Sequence, residues 1–294
     1  MKKYFLFCLI AFVLISCTKP AIVLQTDFGL KDGAVAAMKG VALSVDPSLQ
    51  IFDLTHEIPS YNIWEAAYRL NQAAAFWPKG TVFVSVVDPG VGTERRSVVL
   101  KTRSGHYFVS PDNGTLTLVV KDLGIAEIRE IDESINRRQG SENSNTFYGR
   151  DVYVYTAARL AASKISFKEV GKRLPQEVVS INYQEAVLDN GIIKGNIPVL
   201  DIQYGNVWTN IPDSLVYKLG VKYGDSLQVE VLKADSSVFK NTVPLVKTFG
   251  SVAEGSLLAY FNSLMNFSLA INMGNFSNRY NVYSGAEWTI KISK

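Results

Sequence analysis

The chain has 294 residues, of which 47% are hydrophobic and 19% are charged, and its formal net charge is +3. This composition is typical of a folded protein with a substantial core and excludes a largely disordered chain. Basic residues are not clustered densely enough to indicate binding of nucleic acid, so we expect no nucleic-acid partner.

The first predicted element is a targeting segment at residues 1–17. Two lysines precede an apolar run at 4–15, which is too short to cross a bilayer. The run ends in Ser16-Cys17, an order typical of a bacterial lipoprotein signal in which Cys17 becomes the lipidated first residue. An ordinary signal peptide or a short anchor is the alternative. We therefore predict a cell-envelope protein that is extracytoplasmic and tethered to the membrane through Cys17.

Short apolar strands then alternate with helices, and each strand ends near an acidic residue. The strands at 21–26, 50–54 and 81–87 lead to Asp27, Asp53 and Asp88, and the helices are expected from Asp32, as N-cap, to 45 and from 62 to 76. This alternation is typical of a mainly parallel sheet with helices on its faces. We predict an α/β domain over residues 21–175.

The strand at 81–87 stops at Asp88, and a Pro and two Gly lead from there to Arg95. Ligands of open α/β sheets lie beyond the carboxyl ends of the strands. Asp88 and Arg95 are therefore candidates for chemistry. The alternative is that Asp88 only begins a turn and Arg95 is its surface partner.

The rest of this domain is expected to contain a hairpin at 97–110, a strand at 125–131 and a helix from 147 to about 163. The polar segment at 135–146 is typical of a mobile surface loop.

Helical patterns fade after Pro175, and short strands separated by Gly, Asn and Asp follow. We predict a linker at 176–190 and a smaller β-barrel or sandwich domain at 191–294. The expected strands are 191–200, 207–211, 226–232, 243–248 and 287–292.

Several common catalytic motifs are absent from the sequence, including phosphate-binding loops, dinucleotide-binding glycine motifs and nucleophilic-serine elbows. The two histidines, His56 and His106, are too few for a His-rich metal site, and we expect no metal. His56 could act as a base, but its strand-end turn favours a structural role. The available chemistry is therefore that of Asp, Arg, Tyr and the backbone.

A set of motifs in this order resembles the S-adenosylmethionine (SAM) hydroxide adenosyltransferases, relatives of fluorinase and of the SAM-dependent chlorinase. The motifs are Thr26-Asp27-Phe28-Gly29, Asp53-Leu54-Thr55-His56, Val87-Asp88-Pro89-Gly90-Val91-Gly92-Thr93-Glu94-Arg95-Arg96, Pro111-Asp112-Asn113-Gly114, Phe147-Tyr148-Gly149-Arg150-Asp151 and Gly205-Asn206-Val207-Trp208-Thr209-Asn210. The resemblance implies an N-terminal α/β domain and a C-terminal β-barrel. It also implies a homotrimer, with SAM as the substrate and no cofactor, bound between one subunit's N-terminal domain and the next one's C-terminal domain.

The resemblance also implies binding roles for individual residues. Asp27 would hold the ribose hydroxyls, Asp201 the methionine ammonium group and Ser263 the methionine carboxylate. Leu264 stands where fluorinase has an arginine beside that serine. The remaining expected binding residues are Asp32, Tyr61, Gly149 and the adenine-pocket residues Tyr204, Asn206 and Trp208, for which a place in the β-domain core is the alternative.

The catalytic residues implied by the resemblance are Asp88, Arg95 and Tyr148. The hydrolytic members have a histidine where Tyr148 stands, whereas the halogenases have a tyrosine there and lack the acid at Asp88. We expect hydrolysis of SAM to adenosine and L-methionine by a positioned water that attacks ribose C5′, since the Asp88 carboxylate would repel a halide. The alternatives are halide transfer to the adenosyl group and non-catalytic binding of a nucleoside or SAM by an exported lipoprotein.

Overall fold

The computed structural model describes residues 19–294, so the predicted targeting segment and Cys17 lie outside the described residues. Within residues 19–294, no helix combines the length and the apolar character that a membrane span needs.

The N-terminal domain is built on a six-stranded sheet with the order β2-β1-β3-β5-β4-β6. Only β4 runs against its neighbours, which confirms the predicted mainly parallel sheet. The strands are β1 Ile22–Thr26, β2 Ile51–Thr55, β3 Val82–Val86, β4 Ser97–Thr102, β5 Tyr107–Pro111 and β6 Ile125–Glu130.

Helices cover both faces of this sheet, so its central strands are apolar on both sides. Every residue of β1 and β3 is buried. Within β1, Ile22 and Leu24 pack with α1 and α5 on one face, and Val23 packs with α2 and α3 on the other. Such double burial explains the continuous apolar runs in the sequence. The helices are α1 Ala34–Val45, α2 Ile63–Ala74, α3 Thr117–Leu123, α4 Glu133–Asn136 and α5 Val154–Ala161.

Helix α1 begins one residue later than predicted, because Gly33 and not Asp32 is its N-cap. The Asp32 carboxylate accepts a hydrogen bond from the Ala34 N–H at 2.9 Å. It therefore satisfies a free donor of the first turn from the position before the cap.

The predicted helix at 147–163 opens with a π-helical turn at Gly149–Tyr153, and α5 follows it. The polar segment before it was predicted to be a surface loop, and this was wrong for Asn136 and Ser141, which are buried. The Ser141 hydroxyl donates to the Arg138 carbonyl at 2.6 Å. Local hydrogen bonds therefore fold this segment back onto the domain.

The C-terminal domain consists of two antiparallel sheets that share one core, which confirms the predicted all-β domain. One sheet has the order β13-β14-β10-β9 and the other the order β12-β11-β15-β8-β7. The strands are β7 Val187–Asp189, β8 Ile192–Asn196, β9 Val199–Asp201, β10 Asn206–Pro212, β11 Ser226–Lys233, β12 Ser236–Pro244, β13 Leu257–Phe261, β14 Asn266–Ile271 and β15 Trp288–Ser293, and the short helices are α6 Asp213–Val216 and α7 Phe276–Tyr280.

Three strand predictions in this domain were wrong. The segment at 191–200 forms two strands, because Pro198 has no N–H for the ladder and the chain leaves one sheet for the other. The segment at 243–248 lies mostly beyond the end of β12. Strands β13 and β14 were missed, and the nearly continuous burial of β14 explains why it shows no alternation. The predicted linker at 176–190 contains the whole of β7.

Helix α2 docks the two domains together. The Trp64 Nε1–H donates to the Pro198 carbonyl at 2.9 Å, and Arg69 Nη2 donates to the Leu200 carbonyl at 2.8 Å. Tyr68 and Val199 lie in one buried apolar cluster beside these bonds. This docking fixes β9, whose last residue is Asp201.

Candidate active site

A cavity of about 220 Å³ lies at the carboxyl ends of β1 and β3, where ligands of α/β sheets are expected. Five of the predicted residues line it: Asp27, Tyr61, Asp88, Tyr148 and Gly149. Asp27 follows the end of β1, and Asp88 lies just beyond the end of β3. Tyr148 directly precedes the π-helical turn, which begins at Gly149.

Asp88 and Arg95 form a buried, two-pronged ion pair. Arg95 Nε donates to Asp88 Oδ1 at 2.8 Å, and Nη2 donates to Oδ2 at 2.5 Å. The side chains are 5% and 11% exposed, so the alternative of a surface turn partner was wrong. Burial by itself lowers the pKa of Arg95, but the hydrogen bonds that it donates to Asp88 and the nearby Tyr153 and Asp88 outweigh this effect and raise the pKa. Arg95 therefore keeps its positive charge and holds the Asp88 carboxylate in one orientation.

Tyr153 completes a closed ring of hydrogen bonds around this pair, and the sequence analysis missed it. Arg95 Nη1 donates to Ser97 Oγ at 2.9 Å, Ser97 Oγ lies 3.2 Å from the Tyr153 hydroxyl, and that hydroxyl donates to Asp88 Oδ2 at 3.4 Å. Burial, with the charge of Asp88 added, raises the pKa of Tyr153 far above its usual range, so it remains a donor. Its only signal in the sequence is an aromatic residue in a helix, which is equally typical of a core.

The Tyr148 ring is enclosed by two guanidinium groups. The Cζ atom of Arg95 lies 5.0 Å from the ring centroid, and the Cζ atom of Arg137 lies 4.7 Å from it. Distances below about 6 Å are those of cation–π contacts. Arg137 was not predicted to lie near the site.

Asp27 is held in place by the main chain. The Tyr61 N–H donates to Asp27 Oδ2 at 2.9 Å, which fixes the carboxylate at the cavity wall. Tyr61 has φ +67° and its side chain is 72% exposed. Asp32 is exposed and lines neither this cavity nor the cleft of the C-terminal domain, and its binding role stays a prediction.

A second cleft, of about 830 Å³, lies in the C-terminal domain. It is lined by all five predicted residues of that domain: Asp201, Tyr204, Asn206, Trp208 and Ser263. Tyr204 is 64% exposed, which excludes the alternative that it belongs to the core. Asn206 Nδ2 donates to Asp201 Oδ2 at 3.2 Å and so orients that acid within the cleft.

Tyr260 also lines this cleft and was missed by the sequence analysis. The Trp208 Nε1–H donates to its hydroxyl at 3.3 Å. Burial raises the pKa of Tyr260 to about 12. The cleft therefore combines aromatic surfaces for a flat base with one carboxylate for a cation.

The predicted residues fall into two separate groups, since the cavity and the cleft share no lining residue within one chain.

Both histidines are buried and hydrogen-bonded. His56 lies 2.8 Å from Thr26 Oγ1 and 3.0 Å from Asp53 Oδ1, so both ring nitrogens have partners, as expected for a structural residue. His106 is bound to Ser104 and to the Trp77 carbonyl. Among residues 19–294, His, Cys, Asp and Glu form no group of three or more that could hold a metal ion.

Residues 22–171 match the SAM hydroxide adenosyltransferase N-terminal domain, and residues 195–289 match the corresponding C-terminal domain. The chain belongs to the SAM hydroxide adenosyltransferase family.

Relatives within this family carry two different names. A fluorinase from Nocardia brasiliensis is 31% identical over 93% of this chain and 97% of its own length. An (R)-S-adenosyl-L-methionine hydrolase from Methanocaldococcus jannaschii is 37% identical over 71% of this chain and 73% of its own length. A similarly named hydrolase from Salinispora tropica is 33% identical over 90% of this chain and 95% of its own length.

A solved structure, of an uncharacterized conserved protein from Thermotoga maritima, is similar over both domains. It is 36% identical with a TM-score of 0.86, covering 93% of this chain and 100% of the other.

Proposed function

We propose that this member of the SAM hydroxide adenosyltransferase family hydrolyses SAM to adenosine and L-methionine. The observation that carries the proposal is the buried Asp88–Arg95 pair, whose carboxylate lines the same cavity as Asp27. Hydrolases named for (R)-SAM, at 37% and 33% identity, support this choice.

In the proposed reaction, a water oxygen attacks ribose C5′ in line with the C5′–S bond. That bond breaks with its electron pair on sulfur, so the sulfonium becomes the neutral thioether of methionine. The attacking water releases one proton to the solvent and becomes the 5′-hydroxyl of adenosine. Asp27 binds the ribose diol, because a carboxylate offers acceptors to two adjacent hydroxyls.

Asp88 acts mainly by orienting this water. Both carboxylate oxygens already accept hydrogen bonds from Arg95, so the acid has a fixed direction and little freedom to rearrange during the reaction. Alignment of the nucleophile can contribute about 7 kcal/mol or more to catalysis. Tyr148 offers a second donor and acceptor at the same wall of the cavity.

A halide is the second candidate nucleophile, and three observations favour testing it. Tyr148 lies at the cavity, and the fluorinase of Nocardia brasiliensis is similar over nearly the whole chain. In addition, Arg95 balances the charge of Asp88, so repulsion of an anion is weaker than the sequence alone indicates.

The active unit in this proposal is a homotrimer. The cavity of one chain would face the cleft of the next, so that Asp27 and Asp88 come from one copy and Asp201, Asn206 and Trp208 come from another. The separation of these two groups within one chain supports the arrangement.

We also propose that the protein is anchored outside the cytoplasm through lipidated Cys17. Replacement of this residue in Cys17→Ser should abolish incorporation of labelled fatty acid and release the protein from the membrane fraction. Retention of label in Cys17→Ser would contradict the proposal.

The experiment that tests the reaction uses residues 18–294 and mass spectrometry of the products. The protein is incubated with SAM in halide-free buffer and, separately, with chloride or bromide. Adenosine and methionine in every buffer support hydrolysis. A 5′-halogenated adenosine would instead support halide transfer, and bound SAM without any product would contradict both reactions.

A further inference from the structure

Arg137 is a largely enclosed residue at the C-cap of the short helix α4. Its side chain is 10% exposed, and Nη2 pairs with Glu133 Oε2 at 2.5 Å. Nη1 donates to two carbonyl oxygens of the following loop, Ser141 at 3.3 Å and Ser144 at 3.1 Å. A side chain with this many partners has little freedom to move.

The guanidinium of Arg137 also lies against Tyr148, the residue that stands where the hydrolytic members of the family have a histidine. Its Cζ atom is 4.7 Å from the centroid of the Tyr148 ring, which Arg95 approaches to 5.0 Å. The Tyr153 ring meets Tyr148 edge-on at 6.3 Å. Tyr148 is therefore held by cations and an aromatic edge.

The loop that Arg137 ties down reaches the cavity. Thr146 lines the cavity wall, and the Asn145 carbonyl oxygen lies against Gly92 of the Asp88–Arg95 loop. The loop that Arg137 contacts therefore forms part of the cavity wall beside Tyr148.

Arg137 keeps its positive charge. Burial lowers the pKa of this guanidinium, but the hydrogen bond to Glu133 and the charge of Glu133 raise it more, with a smaller contribution from Tyr148. The contact with the Tyr148 ring therefore persists over the whole working pH range.

We propose that Arg137 is a positioning residue for the reaction, which holds the Tyr148 ring so that its hydroxyl faces the nucleophile. This inference rests on the proposed function, because it assigns the Tyr148 hydroxyl to the attacking water. Arg137 acts through Tyr148 and not on SAM itself. Its loss should therefore lower kcat and leave the KM for SAM nearly unchanged.

The chain offers a matched control in Arg129 on β6. Its side chain is 12% exposed, pairs with Glu127 at 2.5 Å and donates to the carbonyl oxygens of Gly171 and Lys168. It also lies 5.6 Å from the Phe167 ring centroid. Arg129 thus has the same kinds of contact as Arg137 but does not line the cavity.

The test compares Arg137→Gln and Arg129→Gln with Tyr148→Phe and the double variant Arg137→Gln/Tyr148→Phe. We expect both arginine variants to lower the melting temperature by similar amounts. Only Arg137→Gln should lower kcat, by about tenfold, because a Tyr148 hydroxyl that no longer faces the attacking water slows the reaction. In the Tyr148→Phe background the same change should lower kcat by at most about twofold, since the effects of substituting two residues that act through one another are not additive.

The results separate this inference from the proposed function. Equal losses of kcat in Arg137→Gln and Arg129→Gln would overturn the positioning role, and so would full additivity in the double variant. If the unaltered chain forms no adenosine from SAM, the proposed function itself is overturned.

Discussion

At the scale of single residues, the polar atoms around Asp88 are held in place by hydrogen bonds to one another. The Asp88 carboxylate, the Arg95 fork, Ser97 and Tyr153 form a closed ring of hydrogen bonds. Because these groups are buried, removal of one of them leaves another buried polar or charged group without its hydrogen-bond or ionic partner. Function and stability are therefore coupled at Asp88, and an activity test needs a control for stability.

Asp88→Asn should lower kcat/KM for SAM hydrolysis by about 100-fold or more, because a preorganised group at the reacting centre is lost. The variant should also lose about 3 kcal/mol of stability, since the Arg95 charge remains buried without its ionic partner. Product formation and urea unfolding measure the two effects.

Asp112→Asn is the matched control for this prediction. Asp112 is buried and pairs with Arg96 at 2.5 Å, but it does not line the cavity. It should lose stability and keep its kcat. Unchanged turnover in Asp88→Asn, or an equal loss in both variants, would contradict a role for Asp88 in positioning water.

At the scale of elements, the cavity wall is formed by loops that approach one another too closely for side chains. Gly92 has φ +76°, and a Cβ atom there would lie 2.7 Å from the Asn145 carbonyl oxygen. The Asp88–Arg95 loop can therefore pack on the loop before Tyr148 only because position 92 is glycine.

Gly92→Ala should destabilise the protein by about 1–3 kcal/mol and lower kcat, because both the backbone and the loop contact are strained. Gly220→Ala is the control, as Gly220 has φ +70° with no atom within 4 Å of the added Cβ. It should lose less stability and keep full turnover. Calorimetry and initial rates measure both effects, and equal losses in the two variants would show that the Asn145 contact is unimportant.

The π-helical turn at Gly149–Tyr153 is held by the buried Asp151. Arg150 donates to both carboxylate oxygens at 2.8 and 2.7 Å, and Arg138 Nε donates at 3.0 Å. Burial alone raises the pKa of Asp151, but these hydrogen bonds lower it below the ordinary value of 3.8. The folded-state pKa is thus depressed, so the stabilisation is present above the unfolded-state pKa and is lost as the pH falls through the folded value.

Asp151→Asn should therefore lose about 3 kcal/mol of stability at neutral pH. The difference from the unaltered chain should shrink as the pH falls below the ordinary value of 3.8. Urea unfolding of both proteins at neutral and acidic pH measures this difference. A difference that stays constant into the acid range would contradict the role of the ionised carboxylate.

At the scale of the whole molecule, the two groups of site residues lie in different domains. The docking of α2 against β9 fixes those domains relative to each other, and yet the cavity and the cleft remain separate. In the proposed trimer, the cavity of one chain would meet the cleft of another and complete the proposed SAM site.

Mixing two inactive variants tests this arrangement. Asp88→Asn affects only the cavity, and Trp208→Ala affects only the cleft. After unfolding and reassembly of an equal mixture, about a quarter of the sites would combine two intact halves in statistical assembly of a cyclic oligomer. We expect about a quarter of the activity of the unaltered protein. No recovery, with co-assembly shown by mass spectrometry, would contradict a site shared between copies.

Local sequence patterns predicted the alternating strands and helices of the N-terminal domain and most candidate residues. The apolar runs of β1 and β3 and the helical periodicity between them are local patterns, and local patterns identify a parallel sheet with acids at its strand ends. The motifs around Asp27, Asp88 and Gly205 are also short stretches of chain, so they could be read without the fold.

Which side chains meet depends on the folded chain. No local pattern places Tyr153, Arg137 or Tyr260 at the candidate site, because their partners Asp88, Tyr148 and Trp208 are remote in the chain or lie beyond an irregular turn. The division of the predicted residues between a cavity and a cleft is likewise invisible in the linear order. The physical reason is that such contacts depend on packing and on the path of the loops, which distant parts of the chain determine together.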